Sequence, residues 1–243
     1  MLFEYPSKEQ WNSLAATFPV QRLQVRLGDF QIDYDPATAG PRELFVNIET
    51  TNWEMHLQSR ISDVWKSYVM LLFYYEMGIP DEEWSIAGED GGIKYFPHFE
   101  KRHYDIKHQF DFYTDVFYYK IFSAWDTVGQ LLFLIYDLKR ASNEKAGFAS
   151  AVRELKDDHA ALRESLASIT NHPEFAKSRK FRNDITHNFL PNSLGSTVRM
   201  PKENMMTGGG ANYTPSTEFK ENVVNVLELF AETLESIKRQ IRG

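Results

Sequence analysis

Apolar residues recur every three or four positions through most of the chain, which is the spacing of one face of an α-helix. The runs extend from Asn52 to a stop at Gly78, through a second segment after residue 100 that ends at Ile135, from Phe148 to Ile169, from His172 through Asn188, and from Val223 to Ile241. Helices with one apolar side pack together as a bundle. The sequence therefore predicts a mainly α fold, an antiparallel bundle of four to five helices. Apolar residues surround the second helix, which predicts a central position for it.

The first fifty residues follow a different pattern. Apolar and polar residues alternate in the segments LQVRL (23–27), FQIDY (30–34) and LFVNI (44–48), which is typical of short strands. We therefore predict a small N-terminal strand-containing extension over residues 1–50, which can form a short β-hairpin. The helical bundle is predicted to occupy residues 51–243.

Two segments rich in glycine are predicted to be loops, at residues 78–100 and 191–217. The second is longer than the roughly 15 residues usual for an unstructured connection in a compact domain. We interpret it as a mobile loop or lid beside the fourth helix. Its TGGGANY sequence is not followed by the Lys-Ser or Lys-Thr of a P-loop, which argues against a phosphate-binding loop.

Composition excludes several classes of protein. The chain has 243 residues, no cysteine and a net charge of -7. Without cysteine, thiolate nucleophiles and thiolate metal sites are excluded. The acidic balance argues against a protein that coats nucleic acid, although a local basic site is compatible with it. No apolar run reaches the roughly 18 residues that span a bilayer, and the first residues do not resemble a signal peptide, so we expect a cytoplasmic protein without a membrane segment.

The candidate chemistry lies in the segment FRNDITHN, residues 181–188. Phe181, Ile185 and Phe189 fall on one side of the fourth helix, which we predict to face the core. With Ile185 at zero, Arg182 lies at about 60 degrees, Asn183 at about 160 and His187 at about 200. These three polar residues are therefore predicted to face away from the core of their own chain.

Arg182-Asn183-x-x-x-His187, on a late helix of a helical bundle, resembles the motif of the HEPN superfamily, which has Arg, a polar residue, three variable residues and His. The resemblance covers about residues 52–242. It implies a homodimer in which two such motifs meet across the interface and commonly form a metal-independent endoribonuclease site. Some members of the superfamily instead act as noncatalytic binding modules or as components of toxin-antitoxin pairs.

The residues also suit this chemistry independently. Attack by the 2′-hydroxyl of RNA on the adjacent phosphate needs a base, an acid and positive charge beside the phosphate, and it needs no metal or other cofactor. His187 can transfer protons, Arg182 can bind phosphate oxygens, and Asn183 can orient the imidazole or the phosphate. One histidine per chain supplies half of an acid-base pair, which a two-fold dimer completes.

Five further residues have two interpretations each. Lys177, Arg179 and Lys180 can bind flanking RNA phosphates or form an ordinary charged helix face, and the two interpretations have equal weight. Ser123 and Asp126 interrupt the apolar second helix. They can support the site or form hydrogen bonds within the bundle, and the second interpretation is favoured.

Other histidines are weaker candidates. His103 and His108, near Asp111, lie about 140 degrees apart around a helix, a poor arrangement for one metal ion, so no metal site is predicted. His159 falls among the apolar residues of the third helix and is interpreted as a hydrogen-bonded core residue.

Three classes of function are compatible with the sequence. The first is a ribonuclease that cleaves single-stranded RNA. The second is a noncatalytic HEPN-like nucleotide- or RNA-binding module or a toxin-antitoxin component, which a neighbouring antitoxin or nucleotidyltransferase gene would favour. The third is a purely structural helical protein.

Overall fold

The computed structural model describes residues 4–33, 37, 40–88, 91–139, 146–188, 190–194, 196–202, 205–210 and 213–242, of which 196–202, 205–210 and 242 are described by their backbone alone. These ranges contain eight α-helices: α1 (Lys8–Ala15), α2 (Val20–Leu23), α3 (Pro41–Glu76), α4 (Lys101–Ile135), α5 (Phe148–Glu154), α6 (Ala160–Thr170), α7 (Pro173–His187) and α8 (Ser216–Arg242). Two antiparallel hairpins pair β1 (Ser85–Ala87) with β2 (Ile93–Tyr95) and β3 (Ser196–Lys202) with β4 (Met205–Gly210). The predicted mainly α helical fold is therefore confirmed.

The two longest helices, α3 and α4, pack side by side at the centre of the bundle. Arg60 contacts Ser123, and Asp63 pairs with Lys120, so the two helices run antiparallel. α4 also packs against α5, α7 and α8. Its buried side chains surround it, as its sequence predicted: Ile106, Phe110, Phe117, Tyr118, Ile121, Ala124, Trp125, Val128, Leu131 and Leu132.

One glycine brings α4 very close to the start of α5. A Cβ added at Gly129 would lie 2.5 Å from the carbonyl carbon of Gly147. Real Cβ atoms do not come this close to backbone, so any other residue at position 129 would push α5 away. The contact fixes the backbone of Gly147 and Phe148 against this turn of α4.

The N-terminal segment is fastened to α3 by a buried carboxylate. Glu54, which has no exposed surface, accepts hydrogen bonds from the backbone N–H groups of Gly28 at 2.8 Å and Phe30 at 2.7 Å. Lys238 of α8 adds an ion pair to Asp29, at 3.0 Å. Residues 24–32 therefore pack against the helical bundle, through contacts with α3 and α8.

The prediction of short strands near the N-terminus is wrong. Residues 44–48 lie inside α3, which begins with Pro41 at a favoured first position. Only Val46 of these five is buried, because one side of this part of the helix faces solvent. Residues 24–33 form turns and irregular backbone, and Tyr34 lies outside the described residues. The boundary predicted at residue 50 falls within α3.

The predicted third helix is interrupted. α5 ends at Glu154, a single 3₁₀ turn covers Asp157–His159, and α6 follows. The apolar residues of both helices are nevertheless buried, so the spacing correctly predicted the core side and missed the break. His159 is not a core residue: it precedes α6 and its ring lies 4.4 Å from that of Tyr136.

Both predicted loops contain hairpins. β1 and β2 occupy part of residues 78–100, and β3 and β4 occupy most of residues 196–210. The prediction of a loop without regular structure over residues 191–217 is therefore wrong over these strands, whose backbone groups pair with each other, and the role of a lid stays a prediction. Of the TGGGANY sequence, residues 207–210 lie in β4, and residues 211 and 212 lie outside the described residues. None of the described helices is long and apolar enough to cross a membrane.

Candidate functional site

The site is built on α7, whose start is defined by local sequence. The ring nitrogen Nδ1 of His172 accepts a hydrogen bond from the N–H of Glu174 at 3.2 Å, and Pro173 occupies the first helical position. Phe175, Ser178 and Phe181 are buried against the bundle. These contacts fix which side of α7 remains outside.

The predicted orientation of the motif is confirmed. Phe181 is buried and Ile185 is half-buried, whereas Asn183 and His187 are exposed and Arg182 is half-buried. Phe189, the third predicted core residue, lies outside the described residues. Arg182, Asn183 and His187 therefore lie at the surface, within about one and a half turns of helix.

The side chains of the motif make few contacts with the described residues of their own chain. Arg182 Nη1 donates to Asn183 Oδ1 at 3.1 Å. Among the described residues, the His187 side chain makes no hydrogen bond or ion pair. Within that part of the chain, neither nitrogen of the imidazole has a partner.

α4 forms the neighbouring wall of the site. The guanidinium carbon of Arg182 lies 6.0 Å from the centre of the Tyr119 ring, within cation-π range. Further along α4, the carboxylate of Asp126 lies in the fields of both Arg182 and Arg60 of α3. The site thus joins α7 and α4: Tyr119 contacts Arg182, and the Asp126 carboxylate feels the charges of Arg182 and of Arg60 on α3.

Asp126 is held over the start of α5. Its Oδ1 accepts a hydrogen bond of 3.4 Å from the N–H of Phe148 and lies 2.8 Å from where a Cβ on Gly147 would be. Loss of solvent around the carboxyl raises its pKa, and the Phe148 hydrogen bond and the charges of Arg182 and Arg60 oppose this shift. Asp126 therefore both bonds within the bundle, as favoured from the sequence, and lies within the field of the motif arginine.

Arg60 is fixed against α4. Its Nη1 donates to the carbonyl oxygen of Ser123 at 2.6 Å and to the hydroxyl of Thr127. The Thr127 hydroxyl also donates to the Ser123 carbonyl, at 2.9 Å. Ser123 thus contributes its backbone carbonyl to this arrangement, and the role predicted for its side chain stays a prediction.

The three basic residues upstream of the motif differ in their surroundings. Lys177 pairs with Glu218 of α8 at 2.9 Å, and Lys180 pairs with Asp184 at 2.6 Å. Arg179 is exposed and, within the described part of the chain, forms no ion pair. It shares the stripe of α7 that carries Asn183 and His187, since the three positions are spaced by four.

The alternative metal site finds no support. His103 Nδ1 accepts a hydrogen bond from the N–H of Glu100 at 3.0 Å, and Asp111 binds the ammonium of Lys107 at 2.6 Å. The residues that the structure describes contain no group of three or more His, Asp or Glu side chains arranged to hold a metal ion.

A separate polar cluster is buried at the N-terminal end of α4. Lys107 donates to Asp111 and, at 3.1 Å, to the carbonyl oxygen of Asn192. Beside it, the buried carboxylate of Asp81 accepts hydrogen bonds from the Tyr213 hydroxyl at 2.6 Å and from the N–H and hydroxyl of Ser216 at 3.0 and 2.7 Å. These contacts tie the segments on both sides of the β3–β4 hairpin to the bundle.

Comparison with known families assigns the chain to a family. A family model described as HEPN_Cthe2314-like HEPN matches residues 53–242. The chain belongs to this family. No curated protein and no solved structure matches it. The resemblance to the HEPN superfamily drawn from the motif is therefore confirmed, and the matched HEPN domain includes α3 from residue 53 onward and every later helix.

One residue beside the motif was not found from the sequence. Tyr119 lies on α4, far from the motif along the chain, and contacts Arg182. Its position there depends on how α4 and α7 pack, for which the sequence gives no local signal.

Proposed function

We propose that this HEPN domain is a metal-independent endoribonuclease that cleaves single-stranded RNA at a composite site across a homodimer. The observation that supports this proposal is the set of Arg182, Asn183 and His187 at the surface of α7. The described fold makes little use of these three side chains. An arginine and an imidazole supply the positive charge and one of the two proton-transfer groups that phosphodiester cleavage by an internal hydroxyl requires.

The proposed reaction is a transesterification. A histidine accepts the proton of a 2′-hydroxyl, whose oxygen attacks the neighbouring phosphorus, and the bond to the 5′-oxygen breaks as that oxygen receives a proton from an acid. The products are a 2′,3′-cyclic phosphate and a 5′-hydroxyl. Arg182 stabilises the negative charge that accumulates on the non-bridging oxygens, and Asn183 holds the phosphate or the Arg182 side chain in place.

The homodimer follows from the need for an acid and a base. One chain offers one motif histidine, and the motif face points outward. Exposed apolar side chains follow the end of α7: Leu190 and Leu194 keep 42% and 40% of their surface exposed. A two-fold interface over this face would cover these side chains and bring His187 of both protomers to one phosphate.

The direct test compares wild-type protein with the His187→Ala variant on unstructured RNA in the presence of EDTA. We expect wild type to cut and the variant to lose about 100- to 10,000-fold in rate, because a proton-transfer group contributes that much. The fold should be unchanged. DNA of the same sequence should remain intact because it lacks the 2′-hydroxyl. Equal cutting by both proteins would show contamination and would contradict the assignment of His187.

Mixing protomers tests the composite site. If both histidines serve one phosphate, diluting wild type with an excess of His187→Ala protein should reduce activity as the square of the wild-type fraction. Independent sites would give a linear decrease. Light scattering that reports a single chain's mass at assay concentrations would contradict the dimer itself.

A noncatalytic role is the second candidate, and one observation favours it. No described side chain hydrogen-bonds the imidazole of His187, so the chain does not itself fix the ring for proton transfer. If an intact dimer binds RNA or nucleotide and cuts no RNA, the domain is a binding module. Co-purification with an antitoxin or a nucleotidyltransferase would then identify the partner.

A further inference from the structure

Tyr119 is an aromatic side chain that the fold leaves at the surface beside the motif. Its neighbours Phe117 and Tyr118 are fully buried, whereas Tyr119 keeps 46% of its surface exposed. Within the described residues its hydroxyl forms no hydrogen bond. The exposed part of the ring is available to another molecule, and within the described part of the chain its cation-π contact is with the guanidinium of Arg182.

The pairing of this ring with Arg182 matches the two parts of a nucleotide. A nucleotide carries an anionic phosphate and a flat aromatic base, and proteins that bind single strands use cations for the first and exposed aromatic rings for the second. Arg182 projects from α7 and Tyr119 from α4, with 6.0 Å between the guanidinium carbon and the ring centre. One nucleotide can therefore contact both side chains.

We propose that Tyr119 stacks on the base next to the phosphate held by Arg182, and so restricts the substrate to an unpaired nucleotide at the cleavage position. This inference rests on the proposed function and adds to it the residue that selects single-stranded RNA. A base within a duplex is stacked between its neighbours and has no free face for the ring. Stacking on an aromatic ring tolerates all four bases, so Tyr119 confers selectivity for strandedness without strong sequence preference.

The position of Tyr119 on its helix agrees with a role in holding the strand. Phe112, with 55% of its surface exposed, precedes it by two helical turns on the same side of α4, about 10 Å away along the helix axis. A strand leaving the site in that direction would meet a second exposed ring. The charge of Arg182 need not be displaced, because an aromatic ring has two faces.

The test measures binding separately from cleavage. The probe is a short single-stranded RNA whose 2′-hydroxyls are methylated, so that it cannot be cut, with 2-aminopurine as a fluorescent base. Wild type, Tyr119→Phe and Tyr119→Leu are titrated with it. Phe45→Leu is the matched control, since Phe45 is also an exposed aromatic residue but lies on α3 about 22 Å along the helix from Arg60.

We expect Tyr119→Leu to bind about tenfold more weakly and to lose most of the 2-aminopurine quenching, as removal of one stacking partner predicts. Tyr119→Phe and Phe45→Leu should match wild type. On cleavable RNA, Tyr119→Leu should raise KM with little change in kcat. A duplex probe should bind wild type and Tyr119→Leu alike.

Three results would overturn the inference. Unchanged binding by Tyr119→Leu would exclude stacking. A loss of kcat at unchanged affinity would show that the ring only positions Arg182. Dissociation of the Tyr119→Leu dimer in light scattering would show that the ring belongs to the protomer interface. A failure of the proposed nuclease looks different: no protein would cut RNA, whereas the binding difference at Tyr119 would persist.

Discussion

The two polar regions along α4 use similar residues in opposite ways. At its N-terminal end, Lys107 and Asp81 are buried and Asp111 is half-buried, and each binds a named partner at hydrogen-bond distance. Beside its C-terminal half, Arg182 and His187 lie at the surface with few or no partners among the described residues. Buried polar groups cost stability unless they are paired, so the first region serves the fold. The second region is free to bind another molecule.

Arg182→Ala should give the largest effect and separate the two regions most clearly. Loss of charge beside the phosphate is expected to lower kcat about 100- to 1,000-fold. The free energy of unfolding should change by less than about 0.5 kcal/mol, because the side chain is not part of the core. Arg182→Lys should recover only part of the activity, since an ammonium cannot donate bidentately. If Arg182→Ala also lost several kcal/mol of unfolding free energy in a denaturant titration, Arg182 would serve the fold, as the buried residues at the N-terminal end of α4 do.

Asp81→Ala should do the reverse. It removes a fully buried carboxylate and leaves the Tyr213 hydroxyl and both Ser216 donors without an acceptor. We expect a loss of about 2 to 4 kcal/mol in the free energy of unfolding, measured by urea denaturation. Asp81→Asn, which keeps one acceptor oxygen, should lose less. The rate per folded molecule should be unchanged in both, and a lower rate would couple this cluster to the site.

Asp115 lies between the two regions and should respond to pH. Burial and the charge of Asp111 raise its pKa to about 7, against the opposing charge of Lys107, and its Oδ1 is buried without a hydrogen-bond partner among the described residues. A raised pKa means that the folded state binds more protons between about pH 4 and 7, so this group's contribution to stability falls as pH rises through that window.

The Asp115→Asn variant should lack this dependence. Between about pH 4 and pH 8, wild type should lose about 1 to 2 kcal/mol of unfolding free energy relative to the variant, after allowance for partial solvent screening. Asp158→Asn, at an exposed position, is the control and should follow wild type. Parallel curves for wild type and Asp115→Asn would show that the carboxyl titrates normally.

Neutralising the basic residues of α7 should give the smallest effects. Arg179→Gln is expected to weaken RNA binding about two- to fivefold, with a lower salt dependence, because an exposed cation on the motif stripe can contact a flanking phosphate. Lys177→Gln should have less effect, since Lys177 is already paired with Glu218. Fluorescence titrations at several salt concentrations measure both. A larger loss for Lys177 would reverse this assignment.

The sequence predicted those features that helix periodicity determines. The face of α7 that carries Arg182 and His187 follows from 3.6 residues per turn, and so does the buried circumference of α4. The break between α5 and α6 was missed because the apolar spacing continues across it. The first turns of α3 were missed because Leu44, Phe45 and Ile48 are exposed apolar residues that mimic an alternating strand.

The composition of the site beyond the motif was not predictable. Asp126 was noted as a polar interruption of α4, but its closeness to Arg60 and Arg182 depends on three helices that meet only in the folded chain. The sequence alone does not distinguish the exposed Tyr119 from the buried Tyr118 beside it. Periodicity tells which side of a helix faces outward and does not tell which neighbour shares that side.

The Glu54 contact joins the region that matches the family to residues that precede it. The family match begins at residue 53, about three turns after the start of α3 at Pro41. A chain that began at residue 53 would keep Glu54 but lose the Gly28 and Phe30 N–H groups that hydrogen-bond its buried carboxylate. It would also lose Asp29, the ion-pair partner of Lys238. The region that matches the family is therefore shorter than the part of the chain that packs together, and a version cut at residue 53 must replace the contacts that residues 28–30 make.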